Sequence, residues 1–329
     1  MMKPMIYVTR QIPDRGLEIL REVCEPEVWE KDTPPLKEIL QKKVQGIDGL
    51  LCLLTDTIDR AVMDAAGEQL KVISNYAVGY DNIDIQAATK RKIIVCNTPG
   101  VLTETTADLA FALLMTAARR IAEGVEYVKD GNWQTWGPKL LLGYDVHGAT
   151  LGIIGMGQIG QAVAQRAQGF KMNIIYYDHK HRPEANTAVG ARKCETLDEV
   201  LAEADFISLH IPLTKETTHL IDAQAFKKMK NSAILINTAR GQVVNTKALI
   251  KALRSNEIAG AALDVTEPEP LPLGHELLQL PNCIVVPHIG SASIATRTKM
   301  AVIAAENLIA GLKREKPKFI VNPEVLTDN

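Results

Sequence analysis

The 329-residue chain has no excess of basic residues: 37 Lys and Arg stand against 39 Asp and Glu, for a formal net charge of -2. That balance argues against nucleic acid and against an anionic membrane surface as partners. It has no CxxC pair. The five cysteines, Cys24, Cys52, Cys96, Cys194 and Cys283, are scattered and odd in number, which argues against a disulfide framework or a zinc ribbon. Reduced thiols in a cytosolic protein are the expectation, with no metal site. No apolar run reaches the roughly 20 residues of a membrane helix. The opening Met-Met-Lys-Pro-Met-Ile-Tyr-Val-Thr-Arg lacks a long apolar region and a small-residue cleavage site, so it reads as a first strand and not as a secretory signal. The expected compartment is the cytoplasm. Internal repeats and low-complexity stretches are also missing.

What is present is an ordinary globular composition, 46% apolar and 23% charged. The length suits two domains of ~150 residues each. Up to residue 100 short β-rich runs (Met5–Thr9, Leu50–Leu54, Lys71–Ser74, Ile93–Cys96) alternate with helix-period segments (Asp14–Val23, Pro35–Val44, Asp84–Lys92). Such alternation predicts a parallel sheet with helices on its faces. Asn97-Thr98-Pro99-Gly100 is a loop signal. The segment after it, Glu104–Arg119, is apolar almost all round, so it must be buried on most faces; it reads as a helix sandwiched between domains or subunits. From about 149 to 288 six strand candidates (Leu151–Ile154, Ile174–Tyr177, Phe206–Leu209, Ala233–Ile236, Ala259–Leu263, Ile284–Val286) keep a βαβ rhythm, as in a doubly wound dinucleotide fold. Ala292–Leu312 reads as a long helix that could return to the first domain.

Gly155-Met156-Gly157-Gln158-Ile159-Gly160 is a GxGxxG between an apolar strand and a segment with Ile159, Val163, Ala167 and Phe170 at helical spacing. In that context Gly155 permits the tight turn, Gly157 lets the backbone approach a pyrophosphate, and Gly160 lets helix and strand pack closely. The helix N-terminus offers free N–H groups to phosphate. Asp178 ends the second strand about 20 residues past the glycines, where a carboxylate takes a ribose 2′-OH. This favours NAD(H). The basic run His179, Lys180, His181 and Arg182 leaves NADP(H) possible, and its alternative reading is a solvated loop.

Ligands of open α/β sheets bind beyond the carboxyl ends of the strands. The six strands lead, in order, into Gly155; Asp178; His210 with Pro212; Thr238, Ala239 and Arg240; Asp264 and then Glu269; and Pro287 with His288. An arginine, a carboxylate and a histidine on one edge suit hydride chemistry on a carbonyl acid.

Ile236-Asn237-Thr238-Ala239-Arg240-Gly241, Leu263-Asp264-Val265 through Glu269-Pro270, and Pro287-His288-Ile289-Gly290-Ser291 resemble the three signatures of the D-isomer-specific 2-hydroxyacid dehydrogenase family. Asn75-Tyr76-Ala77-Val78-Gly79-Tyr80-Asp81-Asn82 and Asn97-Thr98-Pro99-Gly100 extend the resemblance along essentially the whole chain. Trp133-Gln134-Thr135-Trp136-Gly137-Pro138 and the segment 162–170 are most similar to the glyoxylate/hydroxypyruvate reductase branch. The resemblance implies an α/β protein of two lobes: a flavodoxin-like substrate domain, 1–100 with 289–329, and a Rossmann doubly wound NAD(P)-binding domain, 101–288, with the active site in a cleft that closes. It implies that Arg240 holds the substrate carboxylate and polarises the C2 carbonyl, that His288 exchanges the proton, and that Glu269 orients His288. Leu53, Val78 and Gly79 would join Arg240 and His288 around the substrate.

Around the cofactor would stand Gly155, Gly157, Gln158, Ile159, Gly160, Asp178, His210, Pro212, Thr217, Thr238, Ala239, Gly290 and Thr106, with Asp264 at the nicotinamide amide. His210 could equally be part of a structural turn. Glu267, like Glu269, precedes a proline; spacing from Arg240 favours Glu269, and Glu267 has no role assigned. The helix 104–119 and the arm 125–148, with Trp133 and Trp136, fit a homodimer interface, or one tryptophan trims the substrate pocket. Alternatives on the same fold are a phosphite dehydrogenase, which carries lysine where this chain has Val78, an NAD-sensing corepressor-like binding protein, and a phosphoglycerate dehydrogenase. The last lacks support: the 75–82 loop has no surplus of basic residues for a phosphate, and no regulatory domain is expected beside the two lobes. The substrate class expected is a small 2-oxo or 2-hydroxy acid, with Leu53, Leu54, Val78 and Trp136 setting pocket size.

Overall fold

A computed structural model describes residues 3–180, 182–183 and 188–326. His181 of the basic run lies outside the described residues. The chain divides into two compact units, Met1–Leu102 with Ala292–Asn329, and Thr103–Ser291.

The first unit is built on five parallel strands: β1 (Met5–Val8), β2 (Glu25–Val28), β3 (Gly49–Cys52), β4 (Val72–Asn75) and β5 (Ile94–Cys96), in the order β2-β1-β3-β4-β5. This is the flavodoxin-type order. Helices α1 (Asp14–Val23), α2 (Lys37–Lys43), α3 (Arg60–Ala66) and α4 (Ile85–Lys90) connect the strands. Strands β3 and β4 are buried at every position, as expected of a sheet covered on both faces. One face packs Leu40, Val62, Met63 and Ile73. The other packs Leu17, Leu20 and Val72 against a helix from the far end of the chain, Ile294–Leu312. That helix sits tightly: a Cβ on Gly16 would come within 2.8 Å of the Ala301 Cβ, and Ser74 Oγ donates to the Ala304 carbonyl at 2.8 Å.

Strand β2, Glu-Pro-Glu-Val, is not foreseen from the sequence, for a physical reason. It is an edge strand with two charges and a proline, features that keep an edge from pairing further and that erase apolar alternation.

The second unit begins with α5 (Thr103–Ala118) and α6 (Ile121–Lys129) and continues into seven parallel strands: β6 (Thr150–Ile154), β7 (Asn173–Tyr177), β8 (Arg192–Lys193), β9 (Phe206–Leu209), β10 (Ile234–Asn237), β11 (Gly260–Leu263) and β12 (Cys283–Val285). The order is β12-β11-β10-β9-β6-β7-β8, a doubly wound sheet whose direction of growth reverses between β6 and β9. Helix α7 (Gln158–Gln168) comes after β6. Helices α8 (Leu197–Glu203), α9 (Ala223–Lys228) and α10 (Thr246–Arg254) come in turn, and Ile294–Leu312 of the first unit is α11. Strand β8, two basic residues at the edge, adds a seventh member to the six expected. Within its own unit helix α5 buries Ala107, Ala110, Leu113 and Leu114 against α7 and strands β10 and β11, while Leu109 and Met115 are only partly buried and Ala112 is exposed.

Among the described residues no helix is long and apolar enough to cross a membrane, and no cluster of metal-ligating side chains occurs. The five cysteines are free thiols, four of them buried.

Candidate active site

The reversal point of the second sheet carries the glycine-rich turn. Gly155 has φ +94°, and a Cβ there would lie 2.5 Å from the His210 carbonyl oxygen. Gly160 faces the Gly155 carbonyl oxygen, 2.2 Å from where its Cβ would be. Both positions are therefore closed to any other residue by the protein itself. Gly157 differs, because nothing lies within 4 Å of its would-be Cβ. It is the N-cap of α7 and supplies no capping side chain, so the backbone N–H groups of Gln158 and Ile159 open the helix with no side chain capping them. This is the geometry of an anion cradle.

Asp178, directly after β7, is buried; its carboxylate accepts from Met156 N and Lys180 N, both at 2.9 Å, with His179 Nδ1 at 3.2 Å and Arg182 Nε at 3.7 Å. It thus braces the glycine turn at the end of the neighbouring strand. The His210 ring nitrogen Nε2 meets Ser208 Oγ at 2.8 Å. Burial pushes the His210 imidazole down to about 4, so the ring is neutral near neutral pH. Thr217 donates to the Pro212 carbonyl at 2.7 Å and tightens the turn beyond His210.

Three loops at the carboxyl ends of β10, β11 and β12 hold the remaining groups. Buried Asn237 donates to the Arg240 carbonyl at 2.9 Å and accepts from Ala239 N at 3.0 Å, which folds the Thr238-Ala239-Arg240 turn. Arg240 Nη1 donates to the Ala239 carbonyl at 2.8 Å. The Thr238 hydroxyl is buried without a hydrogen-bond partner among the described residues.

His288 Nδ1 and Glu269 Oε1 are 2.6 Å apart, and Glu269 Oε2 accepts from Thr266 N at 3.1 Å. Burial works to raise the Glu269 carboxyl. The hydrogen bond and charge of His288, the Thr266 N–H and the Arg240 charge outweigh it and hold the group below its ordinary value. Glu269 is therefore ionised beside His288 at neutral pH, and Arg240 is close enough to contribute.

His288 has φ +52°, a conformation that costs a non-glycine residue about 1–2 kcal/mol. Asp264 holds it there. Its carbonyl shares the His288 N–H with the Val286 carbonyl, each at 3.0 Å, and its buried carboxylate accepts from Ile289 N at 2.6 Å and Gly290 N at 2.8 Å. Burial raises the Asp264 carboxyl, against the pull of the Ile289 N–H, the His288 charge and the Gly290 N–H. Thr106 Oγ1 completes the clasp by donating to the Gly290 carbonyl at 3.2 Å.

In the first unit, Leu53, Val78 and Gly79 lie at the carboxyl edge of the five-stranded sheet. An asparagine network fixes them: Asn75 donates to the Gly79 carbonyl at 2.8 Å, Asn97 to the Val78 carbonyl at 2.8 Å, and Asn82 to the Leu53 carbonyl at 3.1 Å.

Residues 111–290 match the family model of the D-isomer specific 2-hydroxyacid dehydrogenase NAD-binding domain. The chain belongs to the D-isomer-specific 2-hydroxyacid dehydrogenase family. It is 52% identical over 326 residues to a glyoxylate reductase of Korarchaeum cryptofilum, covering 99% of this chain and 98% of that protein. The TT0316 protein of Thermus thermophilus superposes with TM-score 0.91 at 49% identity, over 96% of this chain and 99% of that one. An NADPH-dependent glyoxylate/hydroxypyruvate reductase of Sinorhizobium meliloti, solved with NADP and malonate, superposes with TM-score 0.86 at 32% identity, over 97% of each chain.

As a 2-hydroxyacid dehydrogenase the protein is an oxidoreductase acting through a nicotinamide cofactor, and the residues present fit a dinucleotide. The fit rests on the open space over Gly157, the uncapped start of α7, the unpartnered Thr238 hydroxyl and the carboxylate that ends β7. Two features of the site are not legible in the sequence. The carboxylate of Asp264 engages the backbone that comes after His288. Glu267, without a role in the motif, pairs with His219 at 2.7 Å; nothing in the spacing of these two residues announces the contact.

The clasp has a direct consequence. Asp264→Asn keeps the shape but turns one acceptor into an N–H donor facing a backbone N–H. It is expected to lower kcat for 2-oxo acid reduction at least tenfold, the equivalent of about 1.4 kcal/mol. Steady-state kinetics at 340 nm check this, and an unchanged kcat would show that the clasp is dispensable.

Proposed function

We propose that the protein reduces a small 2-oxo acid, glyoxylate to the achiral glycolate or hydroxypyruvate to its D-2-hydroxy acid, with NADH as the preferred reductant. The observation that carries the reading is the His288–Glu269 pair at 2.6 Å beside Arg240 on the edge of the dinucleotide fold. A nicotinamide cofactor held at the glycine turn and Asp178 would supply the hydride for C2 of the substrate. Arg240 holds the carboxylate with its planar fork and draws electron density from the C2 carbonyl. With Nδ1 engaged by Glu269, the His288 nitrogen left to the substrate is Nε2; it gives its proton to the carbonyl oxygen in reduction and takes it back in oxidation. Ionised Glu269 keeps the imidazole in the orientation and tautomer this requires. The small-acid preference draws on the names of the relatives at about half identity.

Preference for NADH draws on Asp178. A carboxylate fixed by two backbone N–H groups at the end of β7 suits a ribose 2′-OH and repels a 2′-phosphate. The exposed His179 and Lys180 would soften that repulsion, and the Sinorhizobium meliloti relative is NADPH-dependent. NADPH is therefore a slower, not an excluded, reductant.

We also propose that a second copy of the chain covers the segment 121–142. Helix α6 has no buried residue; Ile121, Val125 and Val128 form an exposed apolar stripe at helical spacing, and Trp136 beyond it is 78% exposed. Several large apolar side chains exposed within one short segment mark a surface that a partner covers.

Oxidation of NADH and NADPH with glyoxylate, hydroxypyruvate, pyruvate and a bulky 2-oxo acid, tracked in parallel at 340 nm, tests the activity. Glyoxylate or hydroxypyruvate with NADH is expected to give the highest kcat/KM. Faster turnover of bulky acids would refute the small-substrate reading. No turnover at all, with nucleotide still bound, would favour an NAD-sensing binding protein.

Light scattering after size exclusion tests the second proposal. A dimer is expected for the wild type, and Val125→Asp with Val128→Asp is expected to shift it to monomer. A wild-type monomer at micromolar concentration would contradict it.

A further inference from the structure

His219 and Glu267 lie on two different loops of the second unit, and their contact couples the segments that carry the catalytic set. His219, after β9, has φ +53° and donates its backbone N–H to the Gln242 carbonyl at 2.7 Å; two residues on, Ile221 N donates to the Val243 carbonyl at 3.1 Å. These bonds fasten the His219 segment to the 3-10 turn Gly241–Val243, which begins one residue after Arg240. Glu267 lies two residues before Glu269. Its carbonyl accepts from Thr246 Oγ1 at 2.9 Å, and the neighbouring Thr266 N donates to Glu269 at 3.1 Å. The two segments meet at Gly241, where a Cβ would lie 1.9 Å from the Thr266 carbonyl oxygen and 2.8 Å from Glu267 N. His219 Nε2 and Glu267 Oε2, 2.7 Å apart, fasten the same junction through side chains.

We infer that His219 and Glu267 are positioning residues that set the spacing between Arg240 and the Glu269–His288 pair. The inference rests on the reading that these three residues reduce a 2-oxo acid. Both side chains of the His219–Glu267 pair are at least about one-third exposed, so the pair adds little to global stability. What it adds is geometry. Arg240 grips the carboxylate and His288 serves the oxygen on the adjacent carbon, so a shift between their loops spoils binding and proton transfer together.

His219→Gly is the informative variant. Glycine adopts a φ of +53° without strain, so the imidazole is lost while the backbone is favoured. Glu267→Ala removes the other partner, and Glu267→Gln keeps an oxygen that accepts from His219 Nε2. His219→Gly and Glu267→Ala are each expected to raise KM for glyoxylate and lower kcat, with kcat/KM falling about tenfold while KM for NADH is unchanged. The double variant is expected to be no worse than either single one, as for one shared interaction, and Glu267→Gln to recover to within about threefold of wild type.

Kinetics like the wild type in both single variants would overturn the inference. So would a fall in active fraction with unchanged KM, additive losses, or an equal rise in KM for NADH. If the wild type itself turns over no 2-oxo acid, the functional reading falls and this inference with it. An active wild type with indifferent variants refutes the inference alone.

Discussion

The left-handed turn at His288 is the constraint on which the rest of the site depends. A histidine at φ +52° persists only where its surroundings repay the strain. Here Asp264 does so from the end of β11. It shares the N–H of His288 with the Val286 carbonyl and takes those of Ile289 and Gly290 on its carboxylate. Hydrogen bonds to a charged group are worth about 1.5–3 kcal/mol each, against about 1–2 kcal/mol for the backbone strain. With the backbone held this way, the imidazole faces Glu269. Burial of Asp264 strengthens the clasp, because in low dielectric an unmatched carboxylate would be costly and these N–H groups are its match.

From that turn the site is assembled by ordinary packing. Parallel strands β10, β11 and β12 end side by side, so Arg240, Glu269 and His288, far apart in sequence, are brought to one edge. The same edge carries the glycine turn, where the fold itself excludes side chains at Gly155 and Gly160 and leaves space at Gly157. Two histidines lie near this edge with opposite electrostatics. His210 is driven to about 4 by burial and turns to Ser208, whereas His288 faces an ionised carboxylate. Environment, more than residue type, sets the two histidines apart: one is held neutral by burial, the other faces a carboxylate.

Much of the fold is legible in the sequence because its signals are local. A strand such as Gly49–Cys52 is a continuous apolar run, α1 has helical periodicity, and the GxGxxG has its strand and helix on either side. Strands β2 and β8 are not legible: each is a short charged edge, and pairing on one side needs no apolar pattern. Helix α5 announces its burial but not its partners, since an all-apolar surface says only that something covers it. Asp264 stands in a recognisable motif, yet its grip on the backbone after His288 depends on β11 and β12 lying side by side. Glu267 and Glu269 both precede proline; spacing from Arg240 favours Glu269 in the sequence, and the fold adds what the sequence does not show, that Glu267 faces His219 and Glu269 faces His288.

Proton delivery by His288 is the step on which the proposed chemistry turns, and single-turnover kinetics of His288→Ala test it most directly. The variant, loaded with NADH and mixed with glyoxylate, separates nucleotide binding, read by NADH fluorescence, from hydride transfer, read at 340 nm. NADH binding is expected to match the wild type, and hydride transfer to be slower by about 10²–10⁴-fold, the usual worth of a positioned general acid. An undiminished transfer rate in the variant would contradict proton delivery by this residue.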